Sequence, residues 1–194
     1  FVGNLPTERV TTVAIVGTRK PTPYGKEVTY QLAYDLAKRG VVIISGLALG
    51  TDAIAHQAAI DAGGTTIAIL ANSVDTYYPR TNQQLAERII ASGGAILSEY
   101  EPVVAPRDFQ FLARNRIVSG LSDAVIVTEA AIRSGTLATV ARALEQGREV
   151  FAVPGNITSP LSAGSNNMIK QGAFPVTNAE DVLAVIAPHL LAGQ

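Results

Sequence analysis

Short apolar runs recur along the chain at residues 13–16, 41–44, 66–70, 124–127 and 150–153, with 95–97 as a briefer sixth. Runs of four or five apolar residues next to glycine or other turn formers are too short for a helix. They are also too uniformly apolar for a strand wet on one face, so they predict strands of a parallel sheet buried on both sides. Between them the apolar spacing becomes helical. From Pro23 to Lys38, Val28, Leu32 and Leu36 recur every four residues, and Ala33 and Ala37 widen the stripe. Thr22 stands where a helix is capped, Pro23 suits the first turn and Gly40 suits the left-handed stop. Residues 52–62 predict a second helix, stopped by Gly63 and Gly64. Thr81-Asn-Gln-Gln84 reads as a capping box opening a third, with Leu85, Ile89 and Ile90 inward. Leu137, Val140, Ala141 and Leu144 carry the i, i+3, i+4, i+7 signature over residues 135–146. Thr177-Asn-Ala-Glu180 reads as another capping box, ahead of a last helix through Val182, Val185 and Ile186.

Strand and helix alternate throughout, which predicts one doubly wound α/β domain, Rossmann-like, over residues 12–194, with helices on both faces of a mostly parallel sheet. Residues 1–11 read as a linker or the tail of a preceding segment, and the opening Phe-Val-Gly-Asn-Leu-Pro reads like the middle of a longer polypeptide. Composition changes this picture little. The chain has 194 residues, 47% hydrophobic and 16% charged, with a formal net charge of −1, which excludes a protein basic all over but leaves room for a local basic face. There is no cysteine, so disulfides and thiolate chemistry are excluded and a cytoplasmic setting is expected. No apolar run approaches the roughly 18 residues of a membrane span.

Right-handed crossovers bring the strand-to-helix loops to the carboxyl edge of the sheet, where ligands of such folds bind. The loops expected there include Gly17-Thr-Arg19-Lys20-Pro, Ser45-Gly-Leu-Ala-Leu-Gly50-Thr-Asp52 and Glu129-Ala-Ala-Ile-Arg133-Ser134-Gly135-Thr136. Small residues ahead of a helix let an anion approach the backbone N–H groups and the positive end of the helix dipole, so phosphate is the expected guest. Arg19, Lys20 and Arg133 add side-chain charge. Neither the dinucleotide fingerprint G-x-G-x-x-G nor the nucleotide loop G-x-x-x-x-G-K-[ST] occurs, and no cofactor or metal is called for. Phe111-Leu-Ala-Arg114-Asn115-Arg116 leads a helix whose second half is apolar. An aromatic ring beside guanidinium groups suits a single-stranded base and its phosphate. His56 reads as a helix-face residue, and Glu99, Glu101 and Glu129 as acid–base candidates or as ion-pair partners of the arginines. The serines lack the histidine and acid that would activate them.

These motifs, together with Gly147-Arg-Glu-Val-Phe-Ala-Val-Pro-Gly155 and Gly164-Ser-Asn-Asn-Met-Ile-Lys-Gln-Gly172, closely resemble the DNA-processing protein A (DprA/Smf) family, in the same order over nearly the whole chain. The resemblance implies a non-enzymatic, single-stranded DNA-binding domain of an extended Rossmann-like fold. It further implies a homodimer that protects incoming strands and helps load the RecA recombinase in natural transformation. Carried over motif by motif, Arg19 would contact DNA, and Gly17, Ser134, Gly135 and Thr136 would offer donors to phosphates. Arg114 and Asn115, with Phe111, would line the pocket. Lys20, Arg116 and Arg133 complete the expected basic face. The family commonly has proline at the position of Leu112, serine at Thr18 and isoleucine at Thr51, and the first departure bears on how the helix begins. Two other readings stand beside this one. A phosphoribohydrolase-like enzyme on a related fold would need the glutamate of its phosphate loop, where this chain has Thr139. An interaction module holding a nucleotide signal is the third.

Overall fold

In the computed structural model, which describes residues 1–103 and 106–191, the expected alternation closes into one eight-stranded sheet. The first half of the chain runs β1 (Val2–Gly3), β2 (Thr12–Val16), α1 (Pro23–Lys38), β3 (Val42–Ser45), α2 (Thr51–Asp61), β4 (Thr66–Ile69), α3 (Gln83–Ala91) and β5 (Ala95–Leu97). The second half runs α4 (Asp108–Gly120), β6 (Ala124–Val127), α5 (Thr136–Glu145), β7 (Glu149–Ala152), α6 (Ala163–Lys170), β8 (Phe174–Pro175) and α7 (Ala179–Ile186). Strand order is β1-β5-β4-β3-β2-β6-β7-β8, and every pairing is parallel except β1 with β5. The chain steps outward from β2 to β5, returns through α4 and resumes at β6 beside β2. Loops after β2 and β6 therefore flank the point where the order reverses, the place such sheets offer to ligands.

The continuous apolar runs resolve into two faces, as a period of two requires. Val13, Ile15, Ile43, Ile126 and Phe151 pack with α1, α2 and α7 on one side. Ala14, Val16, Ile44, Val125 and Val127 pack with Val118 of α4, Val140 and Ala143 of α5 and Met168 of α6 on the other. A third cluster sets Ala86 and Ile89 of α3 against Leu47, Leu70 and Ile96. The cap expected on α1 forms, Thr22 Oγ1 accepting from Gly25 N at 3.1 Å, and Gly40 takes φ +81°.

Three sequence expectations change. Val2 and Gly3, inside the segment read as a linker, pair with Ile96 and Ala95 and add an edge strand. No capping box opens α3; a 3-10 turn over Arg80–Asn82 leads into it, and Asn82 instead donates its side-chain N–H to Leu47 O at 2.9 Å. The box before α7 lies one residue later than expected, with Asn178 and Asp181 as its reciprocal partners. The segments that form α6 and β8, too short for a clear period, carried no sequence expectation. The last helix buries Val182 and Leu183 in the core and covers the sheet. Among the described residues, no helix is long and apolar enough to cross a membrane.

Candidate nucleic-acid interface

A cavity of about 630 Å³ opens at the carboxyl edge between the loops after β2, β3 and β6 and the side of α4. The loop after β2 leaves the sheet at Gly17, where an added Cβ would lie 2.7 Å from Thr51 Oγ1 and 2.9 Å from Glu129 O, so only glycine lets the three loops converge. Thr18 N donates to Glu129 O at 2.8 Å, and Thr18 O accepts from Thr51 N and Thr51 Oγ1 at 3.2 and 3.1 Å. This leaves Arg19 and Lys20 exposed at the rim.

Arg19 lies over the ring of Phe111, its Cζ 5.5 Å from the ring centroid, and the Tyr78 ring tilts against the same Phe111 ring, the centroids 5.8 Å apart. A guanidinium stacked on a ring keeps its edge donors free while its long stem is held in one direction. Tyr78 remains 48% exposed, so an aromatic surface faces solvent beside the cation.

Arg114 is placed otherwise. It lines the floor of the cavity but is only 5% exposed, and its Nη1 donates to the carbonyls of Gly46 (2.7 Å) and Ile69. Its Nε meets Asn115 Oδ1 at 3.3 Å. Burial lowers the Arg114 pKa, against the opposing charge of Asp52 and with the like charge of Arg19 adding to the fall. Asp52 is buried too. Desolvation raises its pKa, opposed by Arg114 and by hydrogen bonds that include the N–H groups of Gly46 (3.0 Å) and Ala48 (3.3 Å). Below them His56 is fully buried with its Nδ1 2.6 Å from Thr66 Oγ1. That hydroxyl donates to Ile43 O, so Nδ1 must carry the imidazole proton. Burial first, and the Arg114 charge second, lower the His56 pKa to about 3.

The three glycine-rich helix starts are not equivalent. In front of α1, the Glu129 carboxylate accepts from Thr22 N (2.9 Å) and Thr22 Oγ1 (2.6 Å). In the first turn of α2 stands Asp52. At α5 no acidic residue occupies the first turn, the cap residue Gly135 offers no side chain, and Ser134 Oγ is buried without a hydrogen-bond partner. The α5 start thus leaves its backbone N–H groups without a protein carboxylate at the cavity, with the Ser134 hydroxyl buried and unpaired beside them.

Gly17, Arg19, Lys20, Phe111, Arg114, Asn115, Ser134, Gly135 and Thr136 all line this one cavity. Arg116 and Arg133 do not. Two residues on from Arg114, Arg116 points to the other side of α4 and pairs with Glu99, while Arg133 is exposed beside Ser134 without reaching the cavity. The expectation that α4 starts near the arginines is corrected: it starts at Asp108, a turn before Phe111, and Arg114 sits on its second turn. Proline at position 112 could not donate its N–H within such a helix, so Leu112 permits the earlier start. Asp52 and Tyr78 were not singled out by sequence. Asp52 follows a loop that looked like an anion site, and Tyr78 is brought beside Phe111 only by the sheet order. Among the described residues, no group of three or more His, Cys, Asp or Glu could hold a metal ion.

The chain is also similar to known proteins over most of its length. The sequence model of the family described as DNA recombination-mediator protein A matches residues 1–187. Protein Smf of Escherichia coli is 48% identical over 171 residues, 88% of this chain and 46% of that protein. The X-ray structure of DNA processing protein A from Streptococcus pneumoniae superposes with a TM-score of 0.84 at 44% identity, covering 91% of this chain and 62% of that one. The DNA processing protein A of Helicobacter pylori, a structure described for its single-stranded DNA binding mode, superposes at 0.83 with 38% identity, covering 92% and 81%. The chain spans about half the length of the curated relatives it matches.

Proposed function

The chain belongs to the DNA recombination-mediator protein A family, and from that premise we propose that this domain binds single-stranded DNA in the cavity at its carboxyl edge. The observation that carries the proposal is the convergence, on one cavity, of an arginine stacked on an aromatic ring with a helix start whose anion seat is empty of protein carboxylates. Arg19 meets the backbone, Phe111 and Tyr78 offer faces to unstacked bases, and Ser134, Gly135 and Thr136 donate to a phosphate. Within a longer protein the strand would then be protected and passed to the RecA recombinase by a homodimer; that part rests on the family resemblance.

The reading is one of binding rather than turnover. Glu129 and Asp52, the buried carboxylates nearest the cavity, are both engaged by loop donors, so neither stands ready as a general base. Incubation with nucleoside monophosphates should release no free base at enzymatic rates. Oligo-dT should bind with an affinity that falls with salt, log K against log salt having a slope of roughly −0.7 per phosphate neutralised. Arg19→Ala should weaken binding by roughly tenfold or more, the measure of one charge-assisted hydrogen bond. Unchanged affinity in that variant would remove the cavity as the DNA site.

A further inference from the structure

Arg114 places a charged group where water scarcely reaches, and both of its Nη1 partners are backbone carbonyls. Gly46 follows β3 and Ile69 ends β4, so one side chain from α4 closes the carboxyl ends of two adjacent strands. The loop that begins at Gly46 is held tightly along its length. Gly46 N and Ala48 N donate to Asp52, and Asn82 donates to the carbonyls of Leu47 and Ala48. Leu47, fully buried, takes φ +57°, a left-handed conformation that a leucine keeps only where its surroundings impose it. The far end of the loop bears on Arg19. Thr51 holds Thr18 O, and a Cβ on Gly50 would lie 2.5 Å from the Arg19 carbonyl oxygen. The backbone that presents Arg19 therefore leans on a loop whose other end is tied to Arg114.

We propose that Arg114 is a positioning residue for DNA binding: it neutralises no phosphate but holds loop 46–50 so that Arg19 is presented over Phe111. A guanidinium that left Gly46 and Ile69 to meet a phosphate would strand two buried carbonyls, a cost the exposed Arg19 does not face. Gly46 belongs to the same device, since a Cβ there would lie 2.5 Å from the Arg114 guanidinium.

The inference rests on the proposed single-strand binding, and a double-mutant cycle separates the two. Fluorescence anisotropy with labelled oligo-dT, over a salt series, would compare Arg19→Ala, Arg114→Met, Gly46→Ala and each of the latter two combined with Arg19→Ala. Arg19→Ala and Arg114→Met should each weaken binding roughly tenfold or more. The double variant should lie within about twofold of Arg19→Ala, with the same salt slope, because the second change removes only what the first has already lost. Gly46→Ala keeps the charge yet should weaken binding as Arg114→Met does, and it carries the same comparison should Arg114→Met fail to melt cooperatively. Losses that multiply, with about 0.7 more removed from the salt slope, would make Arg114 a phosphate ligand and overturn the inference alone. Unchanged affinity in Arg19→Ala would overturn the site and the inference together.

Discussion

The starts of α2 and α5 face the same cavity and read alike in sequence, each a run of Gly, Ser and Thr ahead of a helix. One is closed and the other open. Asp52 fills the loop before α2, with Arg114 and His56 buried beside it, whereas Ser134 and Gly135 leave the start of α5 without a carboxylate. The start of α1 is closed in a third way, by Glu129 from a different loop. A glycine-rich loop before a helix is therefore an anion site only where the protein has not already supplied the anion.

The closed region should answer to stability measurements and the open one to binding. The largest effect is expected from Asp52→Ala, which leaves the buried Arg114 charge without its counter-charge and two loop N–H groups without an acceptor. Urea unfolding should show a loss of about 3 kcal/mol or more, and Arg114→Met in the same chain should recover part of it. Next comes acid. The His56 pKa is lowered in the fold to about 3, so the unfolded imidazole takes up a proton below about 6.5 while the folded one does not. The stability this group contributes is complete above pH 6.5 and is lost progressively as the pH falls toward 3, at ~1.4 kcal/mol per pH unit. Unfolding measured from pH 7 to 4.5 should show this slope, and His56→Leu should flatten it; equal slopes in both proteins would sink the assignment.

Glu129→Ala should cost about 1–2 kcal/mol in thermal melts, the scale of a lost helix-start carboxylate with its two hydrogen bonds. Gly25→Ala should mimic it, because a Cβ there would lie 2.1 Å from Glu129 Oε2. The smallest stability effect, within about 0.5 kcal/mol, is expected from Ser134→Ala at the open start, since its hydroxyl has no partner to lose. The same variant should nonetheless weaken oligo-dT binding about threefold or more; unchanged binding would show that no phosphate sits at the start of α5.

The order of strands and helices was legible because periodicity is local: runs buried on both faces, a four-residue stripe, Thr22 before Pro23, and Gly40 after Arg39. Local reading failed at the α3 cap, where Asn82 prefers a carbonyl in another loop, and at Val2 and Gly3, whose strand exists only because β5 offers an edge. Most of the candidate site was legible as residue types on one sheet edge. The roles of its arginines were not. Arg114 and Arg116 stand two apart in one motif, and such neighbours cannot share a helix face. Which of the two turns inward follows from how α4 crosses β3 and β4.

By itself the sequence determined the alternating fold, the glycines that let loops converge and the residue types gathered at the carboxyl edge. Only the tertiary structure decided which helix starts are open, which arginine is stacked at the rim and which is buried as a brace. Those outcomes depend on partners far apart in the chain, Glu129 with Thr22, Arg114 with Gly46 and Ile69, Tyr78 with Phe111. Burial then sets their consequences, because a charge withdrawn from water must be satisfied by whatever neighbours the fold provides.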